Sequence, residues 1–335
     1  MPDACFDCKP IKTDVSLFLM PVNVTILCPL FNDSESLNQL LTNLEKSFSH
    51  LTDYSFKVVV VNDGSTEAFH LSTKPAWPVQ LIHLHRNIGH QKALAVGLAY
   101  IKDNTSCDKV LVMDTDGEDR PEDALELLLS SAKNPAQVVF AHRQSRQETS
   151  FRFKLFYYLY KLSFRLLTGR KISFGNFMII PKPSLDKIVF YSEIWSHLAG
   201  GILKSGLPYI SVQTHKGKRY AGQSKMNFSK LLIHGLGAIS VFMEVIASRL
   251  MVFSFTLIGF ALLVILALTG VKLFTDKAIP GWTSTVMSSM LIVLLQSFLL
   301  SLVTLFLYFS TESQRKIIPA QHYKDYIGPV ETITE

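Results

Sequence analysis

The chain has 335 residues, 48% of them hydrophobic, and carries 33 Lys and Arg against 27 Asp and Glu, a formal charge of +6. That length suits one large or two modest domains, and a mean hydropathy of +0.25 is high for a chain without membrane segments. Cysteine usage excludes a disulfide framework: Cys5 and Cys8 form a lone C-x-x-C without the second pair of a structural zinc site, and Cys28 and Cys107 stand apart.

Residues 1–20 read as an N-terminal tail. Its apolar run, Val15–Met20, is too short for a signal-peptide core, and Met20 is an alternative start just before the first strand. Residues 22–28 (VNVTILC) read as that strand, ending at Pro29, and the spacing of Leu37, Leu40, Leu41 and Leu44 predicts a helix from Ser34. Residues 56–61 (FKVVVV) are the unbroken apolar run of a strand covered on both faces, closed by the turn Asn62-Asp63-Gly64-Ser65. Then come a strand at 79–84, a helix through Ala93–Ile101, a strand at Lys109–Met113, a helix through Leu125–Ala132 and a strand at Gln137–Ala141. This alternation predicts an α/β fold with a mostly parallel, doubly wound sheet. Ligands of such sheets bind beyond the carboxyl ends of the strands.

The chain then changes character. Residues 150–171 set aromatics and leucines at helical spacing among Arg152, Lys154, Lys161 and Arg165. The pattern suits a helix in the head-group plane whose basic side chains reach phosphates; a core helix of a soluble domain shows the same pattern. Residues 229–249 predict a juxtamembrane amphipathic helix. The nearly uncharged runs 250–274 and 286–309 are each long enough to cross a hydrocarbon core of about 30 Å. Residues 310–335 read as a tail. Arg249 precedes the first run, Arg315 and Lys316 follow the second, and the loop between holds only Asp276 and Lys277. Positive-inside logic therefore places the catalytic domain and both termini in the cytoplasm. The basic stretch from Arg143 to Arg249 points to anionic lipid head groups rather than nucleic acid. Two spans without a carboxylate or histidine read as an anchor or as walls for a lipid tail. A transporter would need several copies, and a homo-oligomer stays open.

The chemistry concentrates in VLVMDTDGEDRPED, residues 110–123, where an apolar strand runs into Asp114, Asp116, Glu118, Asp119, Glu122 and Asp123. Crowded carboxylates repel unless a cation compensates them. Hard oxygen ligands at a strand end suit Mg2+ or Mn2+, which keep waters or take phosphate oxygens as remaining ligands. Pro29-Leu30-Phe31-Asn32-Asp33 follows the first strand, Asp63 the second, and the run His85 to Ala93 the third. A flat aromatic and acids at such turns could hold a base and its ribose.

With these motifs the sequence resembles family-2 glycosyltransferases, and among them polyprenyl-phosphate sugar transferases of the dolichol-phosphate mannose synthase type. Members read P-x-Y/F-N-E, V-D-D-G-S, R-N-x-G and D-A-D-L-Q-D-P-P-E; the counterparts are Pro29–Asp33, Val61–Ser65, Arg86–Gly89 and Asp114–Glu122. A later R-x-x-G-x-S-K is matched by Arg219, Gly222, Ser224 and Lys225. The likeness covers residues 22–230 and implies a GT-A domain over 21–228, a nucleotide-sugar donor, an inverting reaction and a lipid acceptor. It implies donor contacts at Pro29, Phe31, Asp33, Asp63, Arg86, Gly89 and Asp114, and Mg2+ or Mn2+ on Asp114, Asp116 and Glu118, the last where relatives carry Gln. Arg143 and Arg146 match arginines near the transferred phosphates, and Arg219, Ser224 and Lys225 match acceptor-phosphate ligands; Asp116, Arg143 and Arg219 are the expected catalytic residues.

One departure bears on the acceptor. Relatives carry an acid in a Gly-Asp-Phe turn as proposed base, and here the turn is Gly175-Asn176-Phe177. An amide takes no proton at neutral pH, yet a lipid phosphate with its second pKa near ~6 is already a nucleophile. A hydroxyl acceptor needs a base, and Glu193 is the candidate. A non-catalytic membrane scaffold is the reading from another class. A dinucleotide oxidoreductase is disfavoured, since no G-x-G-x-x-G follows the first strand.

Overall fold

The computed structural model describes residues 21–67, 69–71, 75–143, 151–169, 174–221, 235–274, 281–314 and 316–333. In chain order these form β1 (Val22–Leu30), α1 (Ser34–Phe48), β2 (Tyr54–Asn62), β3 (Val79–Leu84), α2 (His90–Asn104), β4 (Lys109–Val112), α3 (Pro121–Lys133) and β5 (Val138–Arg143). Then follow α4 (Phe151–Thr168), β6 (Met178–Pro181), α5 (Lys182–Ile188), a 3-10 turn at Ser192–Trp195, α6 (Leu198–Ser205) and β7 (Tyr209–Thr214). Two long helices, α7 (Met243–Phe274) and α8 (Trp282–Ser313), precede the single turn α9 (Pro319–His322) and β8 (Ile327–Ile333).

The strands form one sheet in the order β7-β5-β6-β4-β1-β2-β3-β8. The central pairs β4-β1, β1-β2 and β2-β3 are parallel, whereas β6 runs antiparallel to both β4 and β5. Val58, Val59, Val60 and Val61 are all fully buried because both faces are covered. Alternate residues divide between two cores. Leu27, Val59, Val61 and Val112 pack with α2, while Ile26, Val58, Val60 and Leu111 pack with α1 and α3. Pro29 lies inside β1, one step further than the sequence suggests. β4 ends at Val112 opposite Leu27, so the missing N–H of Pro29 lies beyond that ladder.

The switch from parallel to antiparallel at β6 carries the site. It places β5 beside β6 and two strands from β4, with the carboxyl ends of β1, β2, β3, β4 and β5 on one edge. Cys28 and Cys107 are free and buried, and burial raises both thiols out of the reactive range.

The two long helices have 32 residues each, about 48 Å at 1.5 Å per residue. They reach well past the expected spans 250–274 and 286–309. Both are long and apolar enough to cross a membrane. Leu263, Leu266 and Phe306 point outward, while Ser254, Ala261, Ser297, Ser301 and Thr304 are buried. Small residues at a helix contact allow close backbone approach in lipid. At the base of this hairpin Phe164 of α4 joins Leu203, Ala238, Val241, Phe242 and Ile246 in a separate apolar cluster. Tyr158, Leu162 and Leu166 on the same α4 are exposed. Arg249 donates from Nη1 to the Leu166 carbonyl at 2.7 Å and fastens α4 to the hairpin.

Residues 316–333 are more than the tail read from sequence. They return to the sheet, where β8 pairs antiparallel with β3.

Gly97 on α2 faces the sheet with no room for a side chain: a Cβ would stand 2.5 Å from Leu27 Cδ1 and 2.9 Å from Val61 Cγ2. Gly97→Val should cost about 1–3 kcal/mol, lowering the melting midpoint by roughly 2–10 °C. Thermal unfolding of the full chain in detergent tests this, with exposed Glu126→Val expected to leave the midpoint unchanged.

Candidate functional site

The acidic turn leaves the end of β4 and folds on itself. Asp119 Oδ2 accepts from the Asp114 amide at 3.0 Å, and Asp116 Oδ1 accepts from the Glu118 amide at 2.9 Å. Gly117 sits at φ +84°, the left-handed region that favours glycine, with the Tyr220 ring where a Cβ would be.

Three cations from two other strand ends neutralise this turn. Arg143, the last residue of β5, donates from Nη2 to Asp119 Oδ1 at 2.8 Å and from Nη1 to Glu118 Oε2 at 3.3 Å. Arg219 Nη2 stands 2.9 Å from Asp116 Oδ2, and Lys216 Nζ 3.2 Å from Glu118 Oε1. The loop that carries these two is hydrogen-bonded to the turn itself, by Gly217 N–H to the Glu118 carbonyl and Tyr220 N–H to the Asp116 carbonyl. A Cβ on Gly217 would fall on the Gly117 carbonyl oxygen, so only glycine lets the loop seat.

Asp119 is 2% exposed. Burial and the neighbouring Asp114 push its carboxyl up to about 7, against the pull of Arg143. Burial, then Asp116, also raises Asp114, whose side chain opens partly on the cleft.

The second side of the cleft is built from the turns after β1, β2 and β3. Both oxygens of Asp63 accept backbone amides, Ile88 N–H at 2.7 Å and Gly89 N–H at 3.0 Å. Asp63 therefore clamps the Arg86–Gly89 loop to its own turn. Asn32, at φ +49°, ties the first turn to the second through Ser65 and Thr66. His90, the first residue of α2, lies 3.5 Å from Asp114 Oδ1 and 3.0 Å from the Asn176 side-chain nitrogen. Burial lowers the His90 pKa, outweighing the nearby acids, and keeps the ring neutral at pH 7.

Of the residues expected from sequence, Asp114, Asp116, Glu118, Arg143, Arg219 and Asn176 are brought together. Phe31, Asp33, Asp63, Arg86 and Gly89 lie on the adjoining turns, with Phe31 and Arg86 exposed, and Pro29 lies near the carboxyl end of β1. Arg146, Ser224 and Lys225 lie outside the described residues. Glu193 is placed elsewhere. Its carboxylate meets Lys204 at 2.9 Å and Ser192 Oγ at 3.3 Å. It lines a cavity of about 280 Å³ with Glu244, Tyr308, Glu312 and Lys316 at the base of the hairpin, and no acidic-turn residue borders that cavity. Burial would raise its pKa, but the Lys204 bond and charge win and leave it lowered, which makes it a weaker base.

Sequence reasoning missed His90, Asp119, Lys216 and Tyr220. Asp119 and Lys216 sat in runs of like residues without distinction, His90 lay within the run from His85 to Ala93 without a role of its own, and nothing local announced Tyr220.

Among the described residues, no group of three or more His, Cys, Asp or Glu is arranged to hold a metal ion. The donor chemistry nevertheless fits a hard divalent cation at Asp114 and Asp116. Asp114 Oδ1 is shut from solvent without a hydrogen-bond donor, and Asp116 Oδ2 faces the Arg219 guanidinium at 2.9 Å. Glu118 fits less well, since its two oxygens are spent on Arg143 and Lys216.

Residues 25–188, which hold every element from β1 to α5 and the acidic turn, match the sequence profile described as Glycosyl transferase family 2. The chain carries a family-2 glycosyltransferase domain. Curated relatives of this glycosyltransferase include an uncharacterized glycosyltransferase, YkcC, of Bacillus subtilis (26% identical, over 81% of this chain and 84% of the relative). Another is the undecaprenyl-phosphate 4-deoxy-4-formamido-L-arabinose transferase of Edwardsiella ictaluri (26%; 77% and 80%). A third is the bactoprenol glucosyl transferase of Shigella phage SfX (26%; 66% and 73%). Among solved structures, glucosyl-3-phosphoglycerate synthase from Mycobacterium tuberculosis, in complex with Mn2+, UDP-glucose and phosphoglyceric acid, is similar at 15% identity and a TM-score of 0.47. The match covers 67% of this chain and 80% of that one.

Arg143→Ala leaves the buried Asp119 carboxylate with one backbone donor and should destabilise the glycosyltransferase by on the order of 3 kcal/mol. Arg143→Lys restores charge without the fork and should recover only part. Denaturant unfolding of the three proteins tests the ordering.

Proposed function

We propose that the protein transfers a sugar from a nucleotide-sugar donor to polyprenyl phosphate at the cytoplasmic leaflet, with inversion at the sugar carbon. The observation that carries the choice of acceptor is the state of the carboxyl groups around the cleft. Asn176 stands at the turn where relatives place an acid and is bonded to His90. Asp116, Glu118 and Asp119 are engaged by cations, and Glu193 is held by Lys204 at the hairpin. A lipid phosphate needs no base, because it is already ionised near neutral pH.

The names of two relatives, which include undecaprenyl phosphate and bactoprenol, support the same acceptor class. So do the two apolar helices and the exposed apolar face of α4. The cytoplasmic placement rests on Arg249, Arg315 and Lys316 flanking the hairpin.

In this reading an oxygen of the acceptor phosphate attacks the anomeric carbon while the bond to the donor diphosphate breaks and its electron pair leaves with the diphosphate. Asp114 and Asp116 would hold Mg2+ or Mn2+, which supplies positive charge for the diphosphate. Arg219 and Arg143 exchange acid partners for phosphate oxygens; their planar forks match either geometry. The Asp63-clamped loop and the Phe31 turn position the nucleoside, and fixed geometry lowers the entropic share of the barrier. Arg146, Ser224 and Lys225 are assigned to the acceptor phosphate.

The experiment compares transfer of labelled sugar, from a panel of nucleotide sugars, to undecaprenyl phosphate and to undecaprenol in nanodiscs. Product is expected from the phosphate alone. Asp116→Asn should cut turnover at least about 100-fold, the scale of a lost electrostatic contact in a closed site, and chelation should abolish it reversibly. Transfer to undecaprenol with loss in Glu193→Gln would replace this reading with the hydroxyl acceptor.

A further inference from the structure

The chain that follows the helical hairpin starts β8 beside the donor turns, and the strand then runs away from them along β3. Residues 316–326 cross the domain first. Ala320 N–H donates to the Val189 carbonyl at 3.0 Å, and the hydroxyl of the buried Tyr323 meets the Asn104 side-chain amide at 3.3 Å. The Tyr326 ring lies 4.9 Å from that of Trp195, and its carbonyl accepts the His85 amide at 3.1 Å. His85 opens the loop whose Ile88 and Gly89 amides hold Asp63.

A second connection runs across the sheet. Glu331 of β8 places Oε1 3.3 Å from His83 Nε2 on β3. His83 Nδ1 is 3.2 Å from the side-chain nitrogen of Asn62 on β2. Asn62 Oδ1 accepts the Ser65 amide at 3.0 Å, and Ser65 Oγ accepts the Asn32 amide at 2.9 Å. The proton positions follow from this order. Asn62 spends its oxygen on Ser65, so its NH2 faces His83 Nδ1, which must accept. The ring proton then sits on Nε2, 3.3 Å from Glu331 Oε1 but out of line for a hydrogen bond, so β8 meets this chain through an electrostatic contact. Hydrogen bonds join β3, β2 and the turn after β1.

We propose that β8 is a positioning element for the nucleoside diphosphate of the donor: Glu331, through His83 and Asn62, and Tyr326, through His85, set the two turns that hold it. Neither residue touches the nucleotide. The family profile ends at residue 188 and does not include them. The second membrane helix is thereby tied to the donor pocket by the chain that follows it. The inference rests on the reading of the Asp63 and Arg86–Gly89 turns as the donor site.

The test uses the full chain in nanodiscs with Mn2+ and the probes UDP, GDP, CDP and ADP. His83→Phe should raise the Kd of the preferred diphosphate about tenfold, the scale of one lost hydrogen bond to a positioned group, and Glu331→Ala about two- to threefold, the scale of an exposed charged contact. The double variant should be no weaker than His83→Phe, since both act on the same chain. Glu331→Gln removes the charge facing His83 and should bind as Glu331→Ala does. In transfer assays KM for the donor should rise while kcat holds, which a general loss of fold would not produce. Glu331→Ala, on an exposed side chain, gives the reading should His83→Phe fail to fold. Amide exchange at Gly64, Ser65 and Ile88 should quicken in each weakened variant. Unchanged exchange overturns the role of the strand. Faster exchange with unchanged Kd overturns the proposal through the donor reading instead.

Discussion

Neutralisation of the acidic turn is the constraint on which the site depends. Asp114, Asp116, Glu118 and Asp119 lie within six residues, and such a turn is stable only while opposite charge is at hand. Its cations come from far along the chain, Arg143 at the end of β5 and Lys216 and Arg219 after β7. β6 stands between β4 and β5, so the turn after β4 and Arg143 at the end of β5 meet across the end of that intervening strand. Under the proposed function the same forks turn to the diphosphate, and a divalent cation at Asp114 and Asp116 would take over compensation of the acids.

The sheet and the helical hairpin are built in opposite senses. In the sheet, apolar side chains turn inward on both faces, and Val58 to Val61 see no water. In the hairpin the order reverses, with Leu263, Leu266 and Phe306 outward and Ser254, Ser297 and Ser301 at the contact, the pattern of helices that pack against each other in lipid. The cluster of Phe164, Leu203, Val241 and Phe242 joins the two regions.

Much of this was legible in the sequence, for identifiable reasons. The central strands announced themselves by unbroken runs such as FKVVVV, and the spans by length. The acids at strand ends gave the site its location, since a parallel sheet puts those ends on one edge. What stayed hidden depended on pairing at a distance. β6 is only Met178–Pro181, too short for a periodic signal. β8 contains Gly328 and Pro329, residues that argue against a strand unless it is an edge. Glu193 was the candidate base for a hydroxyl acceptor, and sequence alone did not show that folding delivers it to Lys204 and the hairpin.

His90 and Asn176 show why the site's chemistry was harder to read than its place. Either residue alone is neutral and unremarkable, and only the fold sets them 3.0 Å apart beside Asp114. Replacing a carboxylate by an amide at that point removes one negative charge from a cleft already crowded with them. It also gives the lone pair or N–H of His90 a partner that does not titrate. For the proposed phosphate acceptor the consequence is electrostatic before it is catalytic: a cleft with one acid fewer would admit a doubly charged phosphate at lower cost. A nucleophile that arrives ionised would lose little from the missing base and gain a less repulsive entrance.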